Sequence, residues 1–186
     1  WYSAPARAWV RVPVWAGQDL SRKHSLLRAE QGAGDTFQFA RYAMLFKAMG
    51  AVVTAQVQQD IGPLASRFEG VDNVVTLSEA DPPADYCLSM MSAPLAFGTE
   101  VATIPAVVPY LSADPLGVAS WTGKLLGKAL HIGIAWAGNS AHVRDRHRSI
   151  PLAALGPLFN LTDVQVVSMQ KQLAPGDAAC LSAAAI

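Results

Sequence analysis

The stretch Glu30-Gln31-Gly32-Ala33-Gly34-Asp35 constrains the fold more than any other part of the chain. It stands between a short apolar run containing Leu26 and Leu27 and a long segment, opening at Thr36, that carries Phe37, Phe39, Met44, Leu45 and Phe46. A strand, a glycine turn and a helix start in that order open a layered α/β unit. Ligands of such proteins bind where strand ends meet helix N-termini.

The remaining pattern repeats this unit. His24 to Glu30 reads as the first strand and Asp35 to Met49 as a helix, with Asp35 as N-cap and Gln38 completing a capping-box-like pair. Gly50 ends the helix. Strands are expected at 51–57, 71–77 and 85–88, with short helices at 60–68 and 92–97. Strands and helices alternating at these intervals imply βαβ units and a parallel sheet. A connecting helix over 114–126 ends at Gly127, and the pattern then restarts. A strand at 130–136, a polar loop at 137–149, a helix at 151–159 and a strand at 164–169 begin a second sheet.

Composition narrows the class. The chain has 186 residues, 52% hydrophobic and 15% charged, with a formal net charge of zero. A sizeable core fits, and general attraction to nucleic acid or anionic membrane is not expected. No apolar run reaches the length of a membrane span, and residues 1–5 do not open like a signal peptide. Cys87 and Cys180 have neither metal-ligand nor disulfide-framework spacing, which suits reduced thiols in the cytoplasm. The chain starts without Met and ends on Ala-Ala-Ala-Ile, so it reads as a piece of a longer polypeptide.

Four ordered segments carry a resemblance. The first runs from Glu30 to Tyr42, the second from Met91 to Thr99, and the third pairs Ile104-Pro105-Ala106 with Pro109-Tyr110-Leu111. The fourth joins Ile134 to Asn139, Asp145 to Leu152, and Ser168-Met169-Gln170-Lys171. Together they resemble a glycosyltransferase-like module of bacterial tetratricopeptide-repeat proteins, related to the ADP-heptose:lipopolysaccharide heptosyltransferases. The resemblance spans roughly residues 8–173, with Ala33 and Ala93 where Leu is expected.

That family implies a GT-B architecture, an α/β fold of two Rossmann-like domains facing across a cleft. In this chain it implies a lead-in at 1–23, an acceptor-side domain at 24–113, a linker helix at 114–128, and the start of a nucleotide-sugar donor domain at 129–186 that is incomplete. The implied reaction is hexosyl- or heptosyl-type transfer from a nucleotide-sugar to a glycan, lipid-linked or protein acceptor hydroxyl. Tetratricopeptide repeats would lie upstream, and a piece lacking most of the donor domain is expected not to turn over by itself.

Candidate residues follow. A carboxylate facing the cleft can deprotonate an acceptor hydroxyl, and the resemblance gives that role to Asp35; the competing reading is a helix cap. Gln31, Gly32 and Gly34 form the acceptor-side loop, the glycines serving either close approach of a ligand or a turn with positive φ. After the first strand of the second domain, Asn139, His142, Arg144, Arg146, Arg148 and Ser149 make a basic loop. Arginines and helix N–H groups stabilise a departing diphosphate without a metal, and Asn139, Arg146, Arg148 and Ser149 are the expected donor-phosphate contacts. The competing reading is a solvated loop, with Asp145 pairing Arg146 or Arg148. Gln170 and Lys171, at the end of the next strand, could also face the cleft, an ordinary strand end being the preferred reading, and Trp121 and Trp136 read as core or interface. With no metal-ligand cluster, neither a metal nor another cofactor is expected. The rival classes are a non-catalytic glycan- or protein-binding module and, more weakly, a Rossmann oxidoreductase, for which a full dinucleotide fingerprint is lacking.

Overall fold

The computed structural model describes residues 12–124, 130–140, 142–184 and 186. The chain divides into two compact units at Pro115/Leu116, inside the segment read as a linker helix.

The first unit is built on a four-stranded, fully parallel sheet of order β3-β2-β1-β4. The strands are β1 (His24–Arg28), β2 (Val52–Val57), β3 (Asn73–Thr76) and β4 (Tyr86–Ser89). Helices α1 (Ala33–Ala40) and α2 (Ala43–Ala48) join β1 to β2, α3 (Gly62–Ala65) joins β2 to β3, and α4 (Ala93–Ala96) follows β4. Alternate strand residues point to opposite faces. Leu27, Val53, Ala55, Val57 and Leu88 therefore share one core with Ala40, Tyr42, Ala43, Phe46, Ala65 and Ala93 of the helical layer. Phe46 is fully buried, with its ring 4.8 Å from Trp15 and 5.3 Å from Phe97. The other face is more polar. Gln56, also fully buried, donates Nε2 to Asp81 Oδ1 at 2.9 Å, and Arg28 pairs with the same oxygen at 3.3 Å.

Several expectations need correction here. The lead-in is part of the core: Trp15 and Leu20 are buried, and Val14 bridges to Cys87 beside β4. Residues 1–11 of that segment lie outside the described residues. The helix expected over 35–49 is two helices. Arg41 Nε donates to Gln38 O at 3.0 Å, the carbonyl that an unbroken helix would offer the Tyr42 N–H. The Tyr42 N–H turns to Phe39 O instead. Gly50 does end the pair, at φ +85. The helix expected over 60–68 shrinks to the four residues of α3, with Pro63 in its first turn.

The second unit holds β5 (Leu130–Ile134) and β6 (Val164–Ser168) as a two-stranded parallel sheet. With α5 (Pro115–Trp121) at the boundary, it continues through α6 (Gly156–Phe159) and α7 (Asp177–Ala183). Its core gathers Ile134, Trp136, Leu152 and Leu181. The helix expected over 151–159 is a 3-10 turn at Leu152–Leu155 followed by the single turn of α6. Pro157 has no N–H to donate into a continuous ladder, which accounts for the break. Residues 125–126 of the expected connecting helix, and Gly127, lie outside the described residues. Sequence periodicity did not announce α7.

Candidate functional site

The first site is built at the carboxyl end of β1. The sheet order reverses direction there, because β2 and β3 lie to one side of β1 and β4 to the other. That switch point is where open α/β sheets leave a crevice. Glu30 and Ser89 meet across it, the Ser89 hydroxyl donating to the Glu30 carboxylate. Ser89 is buried and Glu30 exposed. On the β2 side, Gln58 Nε2 donates to Gln31 O at 2.7 Å, and Gln58 Oε1 accepts from the buried Thr36 hydroxyl at 3.0 Å.

Asp35 is not the N-cap. Helix α1 begins two residues earlier, with Gly32 in the capping position. Asp35 occupies the third helical position, and its Oδ2 accepts the Gly32 N–H at 3.1 Å. This is the carboxylate half of a capping box, the other half being out of reach of a glycine. One carboxylate oxygen thus stabilises the turn, and the group stays half-buried. The turn-with-positive-φ reading of Gly32 and Gly34 also fails: neither has positive φ, and Gly32 is extended at φ −74, ψ 171. A Cβ on Gly34 would meet nothing within 4 Å. Neither backbone angle nor packing requires glycine at 34.

The second site lies past the carboxyl end of β5. Ala135, Trp136, Ala137, Gly138, Arg148 and Ile150 line a cavity of about 300 Å³. The Gly138 N–H donates to Ser149 Oγ at 3.0 Å, and that hydroxyl donates to Asp145 Oδ1 at 2.6 Å. A Cβ on Gly138 would lie 3.4 Å from both Arg148 Nε and Asp145 Oδ1, so both side chains rest on the bare backbone. Arg148 and Ser149 follow a 3-10 turn at Asp145–His147, whose Asp145 carbonyl accepts both their N–H groups at 2.9 Å.

The basic loop is only partly brought together. Among the described residues, Asp145 forms no ion pair with Arg146 or Arg148, and no carboxylate lies within ion-pair distance of Arg148. Arg146 turns aside, its Nε donating to His147 Nε2 at 3.0 Å. The Arg144 N–H donates to His142 Nδ1 at 3.1 Å. Asn139 contributes its carbonyl to the His142 N–H at 2.9 Å. Among the described residues, no long helix starts beside the loop to offer an N-terminus.

Three partners escaped sequence reading. Gln170, two residues past β6, accepts the N–H groups of Trp136 and Ala137 at 3.0 and 3.1 Å. Its Nε2 donates to Ala137 O at 3.0 Å and Gln172 O at 3.1 Å. Asp177 accepts Trp136 Nε1 at 3.1 Å, which fixes the buried indole. Gln58 plays the corresponding part at the first site. The available signal was a glutamine within two residues of a strand's carboxyl end, at both Gln58 and Gln170. Trp121 is half exposed, with Lys124 over its ring at 5.1 Å. Among the described residues no group of three or more His, Cys, Asp or Glu gathers as a metal site, and no helix is long and apolar enough to cross a membrane.

Comparison with known proteins adds one distant likeness. The chain is 24% identical over 176 residues to Protein FlbA of Caulobacter vibrioides, a match covering 84% of this chain. The chain spans 30% of the length of that relative. No family model and no solved structure matches.

Proposed function

We propose that the chain is part of a GT-B-type glycosyltransferase-like protein that transfers a sugar from a nucleotide-sugar to an acceptor hydroxyl. The single observation carrying this reading is Arg148. It lines a strand-end cavity and, among the described residues, faces no carboxylate within ion-pair distance. A guanidinium there is equipped to hold a phosphate in bidentate fashion. Ser149 sets the turn beneath it. Asn139 and Arg146 are secondary, Arg146 being aimed at His147.

The first unit supplies the acceptor side. Asp35 is the proposed base for the acceptor hydroxyl, through the carboxylate oxygen that does not hold Gly32. The proton passes to the carboxylate, the hydroxyl oxygen attacks the anomeric carbon, and the nucleoside diphosphate leaves with the bonding pair. The open space over Gly34 supports close approach of an acceptor to this turn. No metal or other cofactor enters the scheme, Arg148 taking the charge of the leaving group. The free thiols Cys87 and Cys180 suit a cytoplasmic setting. Tetratricopeptide repeats upstream, and a glycan, lipid-linked or protein acceptor, complete the proposal.

The test is calorimetric titration with nucleotide-sugars and nucleoside diphosphates. Micromolar binding that weakens by about tenfold to a hundredfold in Arg148→Ala, the loss of a charged hydrogen-bond pair worth about 1.5–3 kcal/mol, supports the reading. Asp35→Asn should leave that binding intact. A folded protein that binds no nucleotide rejects it.

A second reading, a non-catalytic glycan- or protein-binding module, is favoured by one observation. A cavity of about 520 Å³ in the first unit is lined by Phe39, Tyr42, Val101 and Ile104 among others, and Val101 is 90% exposed. Glycan binding without nucleotide binding would select it.

A further inference from the structure

The second unit contains a side chain standing in for backbone. The parallel ladder between β5 and β6 ends where the Met169 N–H donates to Ile134 O at 2.8 Å. One residue further, the Gln170 side-chain amide takes over. Its Oε1 receives the N–H groups of Trp136 and Ala137, and its Nε2 returns a hydrogen to Ala137 O. A primary amide offers a carbonyl acceptor and N–H donors side by side, the same groups a peptide presents. Ser149 then takes the next N–H, that of Gly138.

Three successive N–H groups, at 136, 137 and 138, thus have protein partners. An anion in the adjoining cavity therefore meets no free N–H from these three residues. Its cation is the Arg148 guanidinium, which rests against the bare Cα of Gly138. The placement of Gly138 decides where that guanidinium lies, and Gln170 pins the two residues before it.

We infer that Gln170 is a positioning residue for Arg148: it locks the 136–138 segment so that the Arg148 guanidinium, rather than the N–H groups of that segment, meets a phosphate-bearing ligand. The inference rests on the phosphate-binding reading of this loop. It also specifies the ligand's chemistry. Recognition falls on phosphate oxygens through side-chain charge, so affinity should follow ionic strength closely and the nucleoside base weakly.

The experiment is a double-mutant cycle on the whole chain, with ADP, UDP and inorganic pyrophosphate as separate probes. Gln170→Met keeps the length of the side chain and removes all four hydrogen bonds. It should weaken binding by roughly tenfold, the scale of losing one or two net hydrogen bonds. In an Arg148→Ala background the same change should cost less than about twofold, because its effect passes through Arg148. Equal losses in both backgrounds, or no loss in either, overturn the inference. Should Gln170→Met melt the unit, the neutral Gln170→Asn replaces it in the cycle. It keeps the amide but is one methylene shorter, loosens the hold on the 136–137 segment, and should likewise weaken binding with Arg148 present and cost less than about twofold without it. Failure of the unmodified protein to bind any of the three probes rejects the phosphate-binding reading itself, a different outcome from binding that ignores Gln170.

Discussion

The two units solve the same problem, a parallel sheet with polar residues at its carboxyl end, with unequal means. In the first, β1 and β2 are buried along most of their length, and side chains from four helices, Trp15 and Leu20 close the core. In the second, every residue of β6 is only half-buried, and β5 buries Ile134 alone. Two strands without a deep hydrophobic face are marginal. The loop after β5 is accordingly tied down by side chains, with Gln170, Ser149 and Asp177 each fixing a group of residues 136–138. Where the core is large, backbone order comes from packing; where it is small, it comes from hydrogen bonds made by particular residues. The polar inventories differ as well. The first unit presents carboxylates, Glu30 and Asp35, at its strand-end turn, and the second presents Arg148.

The largest effect expected from this contrast is in the cores. Phe46→Ala removes a fully buried ring and should cost about 3–5 kcal/mol, lost from the first unit as a whole in a denaturant titration. Leu152→Ala should cost about 2–5 kcal/mol, and with so small a core it should abolish the cooperative unfolding of the second unit while the first still unfolds cooperatively. A single transition displaced equally by both variants would break the comparison, since it would make the two cores one cooperative system.

A smaller effect tests the turn. Asp35→Ala removes the acceptor for the Gly32 N–H and a negative charge in the first turn of α1. It should lower the stability of the first unit by about 1 kcal/mol, read as a shift in its denaturation midpoint. No shift would mean that the carboxylate is not a structural cap, and would leave it wholly to chemistry.

The smallest concerns pH. Burial pushes the Asp72 carboxyl upward, but the Lys47 ammonium at 2.5 Å and the Val53 N–H at 2.8 Å outweigh it and hold the pKa below the ordinary aspartate value of 3.8. A depressed carboxylate contributes stability that is complete above its unfolded pKa and is lost as pH falls through the lower folded value. The first unit should therefore weaken as pH drops below about 4, and Asp72→Asn should flatten that part of its stability curve. An unchanged slope in the variant would assign the acid sensitivity to other carboxylates.

Much of the fold was readable because buried parallel strands write themselves as apolar runs: Leu26-Leu27, Val52-Val53 and Val74-Val75 fall within observed strands. What escaped reading was set by single hydrogen bonds. The break between α1 and α2 follows from Arg41 reaching Gln38 O, and no periodicity encodes that contact. The start of α1 at Ala33 was obscured because glycine caps without a side chain, which left Asp35 looking like the cap when it is the partner. At the second site, Arg148 and Ser149 were legible as a basic residue and a hydroxyl in a strand-to-helix loop. The role of Gln170 was not, because it depends on the register of β6 against β5, a long-range fact absent from local spacing. Arg146, equally basic in sequence, turns toward His147, and only the path of the loop separates the two arginines.

The most direct test of the division between an acidic turn in the first unit and the phosphate-binding loop proposed for the second is hydrogen exchange followed by mass spectrometry, with and without saturating nucleoside diphosphate. The account predicts slowed exchange in peptides covering residues 135–150 and 168–173, and unchanged exchange over 29–41. Slowing confined to 29–41, or no slowing anywhere in a protein shown to bind the nucleotide, would contradict it.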